Sequence, residues 1–311
     1  MSTPTRTDHA EAATQEAVIQ ACQRLASHLG LGRVQPVVIG RHSNLALWLD
    51  PGPWVARVAT GTAGPRAQAA WARREVTLAR ALSRAGAAVA TPAPGDLAGP
   101  HVQDGWRLTL WQRLALHDTA PDPCAAGRAL ARCHAVLHDL PHDGLGEPTP
   151  PWSPLDETAR LLAHPVIQAR AGDDAGWVAR RLAVLDRRVR HHPAPVQWLH
   201  GDAHLNNVRR LADGSPVWLD WEDACRAPLE WDLAGLVGAA RVLGSDVDWA
   251  EAALGAWREV GRPVDEDLLD DCIELRALFV VAWTWWLGPD LAGRRERLAA
   301  RLAWLRQRPG G

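Results

Sequence analysis

Trp198-Leu199-His200-Gly201-Asp202-Ala203-His204-Leu205-Asn206-Asn207 is the stretch on which the reading of this chain turns. The apolar pair Trp198-Leu199 reads as the end of a strand that delivers His-Gly-Asp into a loop, and Asn207 lies five positions after Asp202. Eighteen residues after Asp202, a second apolar strand, Val217-Trp218-Leu219, delivers Asp220, followed by Trp221-Glu222. One carboxylate in such a loop can orient a hydroxyl and accept its proton, while a carboxylate with an amide oxygen can hold Mg²⁺ against phosphates. A lone Asp or Asn in a loop is more often a turn former. A rival chemical reading takes His200, Asp202 and His204 as a metal-hydrolase cluster, since alternate residues of an extended strand share a face. That reading leaves Asn207 and Asp220 without roles.

Upstream of this stretch, residues 12–29 carry apolar positions at helical spacing (Val18, Ala21, Leu25) and end at Gly30, a C-cap signal. Val34 to Leu49 and Trp54 to Val58 read as short strands around the turn Asp50-Pro51-Gly52-Pro53. Residues 66–85 return to helix, closed by Gly86, and an extended segment follows near Trp106–Trp111. From about residue 115 helices dominate: residues 123–138, then 155–191, then four more after residue 229. The expected organisation is a strand-rich front lobe over residues 1–112, of which 1–10 are expected to be disordered, and a helix-rich lobe over 113–311.

Composition narrows the chemistry. All 34 basic residues are arginine, which excludes a Schiff-base lysine and a Walker-type phosphate lysine. Tyr is absent while Trp occurs 17 times, a pattern that a GC-rich codon bias accounts for more simply than selection. A net charge of −2 offers no bulk basic field for nucleic acid or an anionic membrane. The five cysteines form no CxxC pair, so neither a zinc knuckle nor a disulfide framework is expected, and a reducing cytoplasm fits best. Leu275 to Leu287 is the most apolar run; it contains Arg276 and is too short to span a bilayer, so it reads as a buried helix.

The two acidic motifs together resemble those of the aminoglycoside phosphotransferase and choline kinase-like small-molecule kinases. That superfamily shares the bilobal, α+β protein-kinase-like fold. The protein-kinase catalytic loop is His-Arg-Asp with Asn five positions later; this chain keeps His, Asp and Asn and places Gly201 in the middle, as the small-molecule kinases do. The resemblance implies Asp202 as catalytic base, Asn207 and Asp220 as Mg²⁺ ligands, and His200 as a scaffold of the loop. Glu230-Trp231-Asp232-Leu233-Ala234 resembles the family's Asp-Leu-Ala helix start, with Asp232 bracing the loop. In the front lobe the resemblance implies a basic strand residue paired with a helix glutamate, here Arg57 and Glu75, though Arg57 alone also reads as an exposed strand arginine. Gly40-Arg41-His42-Ser43-Asn44 resembles the phosphate-covering loop, with Ser43 and Asn44 near the nucleotide; a plain hairpin turn is equally economical. Trp111-Gln112-Arg113-Leu114 falls where the connection between lobes is expected, and His134 reads as a packed structural histidine.

The implied activity is transfer of the γ-phosphoryl group of ATP, with Mg²⁺, to a hydroxyl of a small molecule, with neither nucleic acid nor membrane as partner. Residues 245–274 hold ten acidic side chains against two arginines, which reads either as the lining of a pocket for a cationic acceptor or as an ordinary solvated helix face. Tryptophans 249, 257, 283, 285 and 286 fit a cation–π cradle or, more simply, the core. A nucleotide-binding regulator with little turnover is the alternative of a different class, against which the complete Asp202, Asn207 and Asp220 set argues.

Overall fold

The computed structural model describes residues 6–41, 44–66, 69–140, 149–288 and 293–308. Two compact units make up the chain: residues 1–80 with 90–114, and residues 81–89 with 115–311.

In the first unit, helix α1 (Arg6–His28) begins inside the ten residues expected to be disordered. Residues 1–5 lie outside the described residues. The helix stops at Gly30, whose φ of +69° a residue with Cβ adopts only at a cost. Val18, Ala21, Cys22 and Leu25 are buried, the expected one-face spacing. Strands β1 (Gln35–Arg41), β2 (Leu45–Asp50) and β3 (Trp54–Val58) precede helix α2 (Ala69–Arg84). Strands β4 (His101–Gln103) and β5 (Trp106–Gln112) complete an antiparallel sheet in the order β1-β2-β3-β5-β4. In β3, Ala56 and Val58 are buried, so period-2 alternation turns Arg57 to the other face, with Ala46 and Thr109 as its cross-strand neighbours.

The second unit opens with β6 (Leu116–His117) and α3 (Pro123–Asp139). The span 155–191, expected to be helical throughout, is three helices: α4 (Ser153–Leu162), α5 (Pro165–Ala171) and α6 (Asp173–Arg190). Pro165 cannot donate to a preceding turn, and Gly172 at φ +55° breaks the next junction. Next come β7 (Gln197–Leu199), β8 (Val208–Leu211), β9 (Pro216–Trp218) and β10 (Cys225–Ala227). They form one sheet β6-β8-β9 and one pair β7-β10. Helices α7 (Glu230–Leu243), α8 (Val247–Val260), α9 (Glu266–Leu287) and α10 (Arg294–Arg306) follow.

Helix α9 is the spine of this unit. It packs against α4, α5, α6, α7 and α10 and buries residues from Leu268 to Trp285 all round its girth. Helix α3 meets α8 closely enough that a Cβ on Gly127 would stand 2.0 Å from the Ala253 carbonyl oxygen. Among the described residues, no helix is long and apolar enough to cross a membrane.

Candidate active site

Strand β7 ends at Leu199, and the loop that leaves it is held from below. Asp232, in the first turn of α7, is buried and accepts hydrogen bonds from the backbone N–H of His200 (2.8 Å) and of Gly201 (2.7 Å). The His134 Nε2–H adds a third, at 2.8 Å, and His134 Nδ1 accepts in turn from Trp257 Nε1 at 3.1 Å. Burial would raise the Asp232 pKa, but the hydrogen bond from His134 and the backbone donor of His200 hold it below the ordinary carboxylate value. Gly201 has φ +84°, and a Cβ there would stand 1.9 Å from the Asp223 carbonyl oxygen, so no other residue fits this turn.

His200 is fully buried between the Trp218 and Trp221 rings, with Nε2 donating to the Leu219 carbonyl at 2.8 Å and Nδ1 accepting from the Asp202 N–H at 3.3 Å. Both ring nitrogens are engaged, so His200 cannot ligate a metal. The metal-hydrolase cluster of His200, Asp202 and His204 is thereby corrected, and among the described residues no group of three or more His, Cys, Asp or Glu side chains is arranged to hold a metal ion.

The Asp202 side chain, 23% exposed, is the meeting point of three elements. Arg276 of α9 donates to Oδ1. His204 Nε2 lies 3.2 Å from Oδ2, and Asn207 Nδ2 donates to the same oxygen at 3.1 Å and to the Asp202 carbonyl at 2.9 Å. Burial by itself would raise the Asp202 pKa, yet the His204 and Arg276 charges and hydrogen bonds hold it well below the carboxylate range. His204 is pushed down by burial and more strongly up by Asp202, for a net rise.

Asn207 and Asp220 are brought side by side by the β8-β9 hairpin: Val208 pairs with Trp218, and the Leu219 N–H donates to the Asn207 carbonyl at 2.8 Å. With its Nδ2 turned to Asp202, Asn207 has its Oδ1 left for another partner. Asp220 stands in the left-handed region (φ 61°, ψ 61°), a conformation that Asp tolerates better than most residues and that turns often concentrate at functional positions. An amide oxygen and a carboxylate are the hard oxygen donors that Mg²⁺ takes, so the pair fits that ion and not a thiophilic metal.

In the first unit Arg57 NH1 donates to Glu75 Oε1 at 2.6 Å, and both side chains are largely buried. Asn44, expected at the phosphate-covering turn, is itself buried. Its Oδ1 accepts from the Thr60 N–H (3.0 Å) and the Thr62 hydroxyl (2.9 Å), so it ties the turn to the segment after β3. Ser43 lies outside the described residues.

Half of the acidic side chains in the run pair with the following arginines, all but Arg258 from other parts of the chain. Glu274 makes a bidentate pair with Arg181, Asp271 pairs with Arg188, Asp270 with Arg308, Glu251 with Arg241, and Glu266 with Arg258. Asp265 caps α9, accepting from the Leu268 N–H at 3.0 Å. Tryptophans 257, 283 and 285 are buried in the core, and Trp249 donates to the Pro121 carbonyl. Sequence reasoning missed Arg276 as a partner of Asp202; a single charge within an apolar helix was the signal that it needed a buried acceptor.

The pattern of the Phosphotransferase enzyme family matches residues 33–268. No curated protein sequence matches the chain. Among solved structures, an amicoumacin kinase in complex with AMP-PNP and Ca²⁺ is 16% identical, covers 87% of this chain and 87% of its own, and superposes with a TM-score of 0.67. A choline kinase from Streptococcus pneumoniae is 15% identical over 92% of this chain and 99% of its own, TM-score 0.65. An aminoglycoside phosphotransferase from Streptomyces rimosus, solved with ADP and streptomycin, is 19% identical over 84% and 99%, TM-score 0.58. At these identities the likeness is one of fold, the α+β protein-kinase-like fold. The family match runs from ahead of β1 into α9 and takes in the whole His200–Asp220 region, so the chain belongs to the phosphotransferase enzyme family.

Proposed function

We propose that this enzyme uses ATP to phosphorylate a hydroxyl of a small molecule, with Asp202 as the base. The observation that carries the proposal is the Asp202 carboxylate, kept ionised by Arg276 and His204 and bonded to Asn207, whose carbonyl in turn accepts from the N–H of Leu219, the residue before Asp220. In this reading the acceptor hydroxyl gives its proton to Asp202 as its oxygen forms a bond to the γ-phosphorus. The bond from that phosphorus to the β–γ bridging oxygen breaks, and ADP leaves. A carboxylate with so low a pKa is a weak base, which suits a loose phosphoryl-transfer transition state whose main need is orientation of the hydroxyl. Asn207 and Asp220 are the residues that would hold Mg²⁺, whose charge neutralises the phosphate oxygens. Arg57, fixed by Glu75, presents a guanidinium fork suited to phosphate oxygens. Asn44 acts on the nucleotide only through the turn it ties down.

A cationic acceptor such as an amino alcohol or an aminoglycoside is supported by the choline and streptomycin named for the structural neighbours. The acidic run adds little to that case, because arginines occupy half of its carboxylates. A cytoplasmic setting suits both ATP chemistry and five cysteines that are all free thiols. The test is acceptor-dependent release of ADP from MgATP across a panel of streptomycin, choline, aminopropanol and neutral sugars. At least one should be turned over, and D202N should not support it. Tight nucleotide binding without turnover of any acceptor would favour the regulator instead.

A further inference from the structure

Arg276 lies in the middle of α9, only 5% exposed, with its guanidinium carbon 5.1 Å from the Trp231 ring centre and 4.9 Å from that of Phe279. A buried cation requires partners, and this one has two on the same loop. NH1 donates to the Gly201 carbonyl at 2.9 Å, and NH2 donates to Asp202 Oδ1. Trp231 Nε1 donates to the same Gly201 carbonyl at 3.1 Å, so that oxygen is held from two sides.

The lone pairs of the Asp202 carboxylate can then be assigned. Each oxygen offers about two acceptor positions. On Oδ2 both are engaged, by His204 Nε2 and Asn207 Nδ2. On Oδ1 Arg276 engages one, and nothing among the described residues engages the other. The terminal torsion of an aspartate is broad and roughly two-fold, so without a clamp the two oxygens are not fixed in place. Arginine suits the clamp because its donors sit in a rigid planar fork, whereas a lysine is a point charge on a flexible stem.

We propose that Arg276 is a positioning residue for the base: it locks the Asp202 carboxylate against the Gly201 carbonyl so that the open position on Oδ1 is where the acceptor hydroxyl docks. The inference rests on the reading of Asp202 as the base. It reaches a residue outside the 33–268 family match, on a helix whose sequence gives no catalytic signal.

A mutant cycle tests it, with MgATP and whichever panel member gives the fastest ADP release. R276Q keeps a donor for the Gly201 carbonyl but lacks the fork. Its kcat should fall about 10- to 100-fold, the scale of a misplaced catalytic group, while KM for the acceptor and affinity for AMP-PNP change less than about threefold. R276K should recover part of the loss, because it restores the charge without the rigid planar fork. The decisive arm is D202N/R276Q: with no carboxylate to position, R276Q should cost the residual rate of D202N almost nothing. Equal losses from R276Q in both backgrounds would show that Arg276 is scaffold and sink this inference alone. Full activity in D202N would sink the reading of the base, and this inference with it. If R276Q does not bind AMP-PNP as a folded protein does, the same cycle is read with R276K, whose smaller loss should likewise vanish beside D202N.

Discussion

Asp202 and Asp220 are both carboxylates at strand ends, but their surroundings differ in ways that suit the different roles proposed for them. Asp202 faces Arg276, His204 and the Asn207 amide, whereas Asp220 stands in a left-handed turn next to the Asn207 strand. D202N should therefore leave folding and AMP-PNP affinity nearly intact and reduce kcat by about 10²–10⁴, the usual worth of general-base assistance, toward the low end for a loose transition state. D220N should weaken Mg²⁺-nucleotide binding as well as turnover, because in the proposed reading it removes a charged ligand for the ion. Nucleotide titration beside steady-state kinetics separates them; equal loss of nucleotide affinity in both variants would mean that the two roles are exchanged. The roles proposed for these residues could be read from the sequence because their motifs occupy consecutive positions, 200 to 207 and 217 to 222. Arg276 was not legible in this role: its bond to Asp202 spans 74 positions, and local pattern carries no record of a partner that distant.

The catalytic loop has little secondary structure of its own, and helix α7 supplies what the loop lacks. Asp232 accepts two backbone N–H groups of the loop and the His134 ring, so a carboxylate at one helix start fixes a turn 31 positions earlier. Asp232→Ala leaves those donors buried without acceptors, and it should cost about 3–5 kcal/mol, the range for removing one member of a buried pair. The sign with pH follows from the lowered Asp232 pKa. The contribution is present above the unfolded-state pKa, about 3.9, and fades as pH falls through the lower folded-state value. Urea midpoints of wild type and variant should thus converge below about pH 4; a constant gap down to pH 2 would show that the charge of Asp232 is not what holds the loop. At this scale the sequence was a good guide wherever the hydrophobic period was long, as in α2 and α3, while α9 showed itself as an apolar run. It blurred α4 to α6, where apolar spacing continues across junctions that Pro165 and Gly172 break.

Across the whole molecule a net charge of −2 conceals a strong local division, with the acid-rich run 245–274 set against arginines gathered from α6, α7, α8 and the C-terminal segment. Composition exposed the acidic excess but not its cancellation, because every arginine that neutralises it lies at a distance the sequence does not encode, apart from the local Arg258–Glu266 and Arg241–Glu251 pairs. The pairs are not equal in value. Arg258–Glu266 and Arg241–Glu251 are exposed, and such pairs are worth about 0–1 kcal/mol each because water screens them and the long side chains lose entropy. Glu274 is different: it is buried within α9, gripped by both Nε and NH2 of Arg181, with Arg308 Nε 3.5 Å from its Oε2. Glu274→Ala strands a buried guanidinium and should cost about 3–5 kcal/mol, whereas Glu266→Ala and Glu251→Ala should each cost about 1 kcal/mol or less. Because Glu274 lies on the helix that carries Arg276, two positions before it, the same variant should also lower kcat before it lowers AMP-PNP affinity. Urea unfolding of the three variants at neutral pH, with kinetics of each, is the measurement. Three equal and small losses would mean that α9 is held in place by its apolar faces alone.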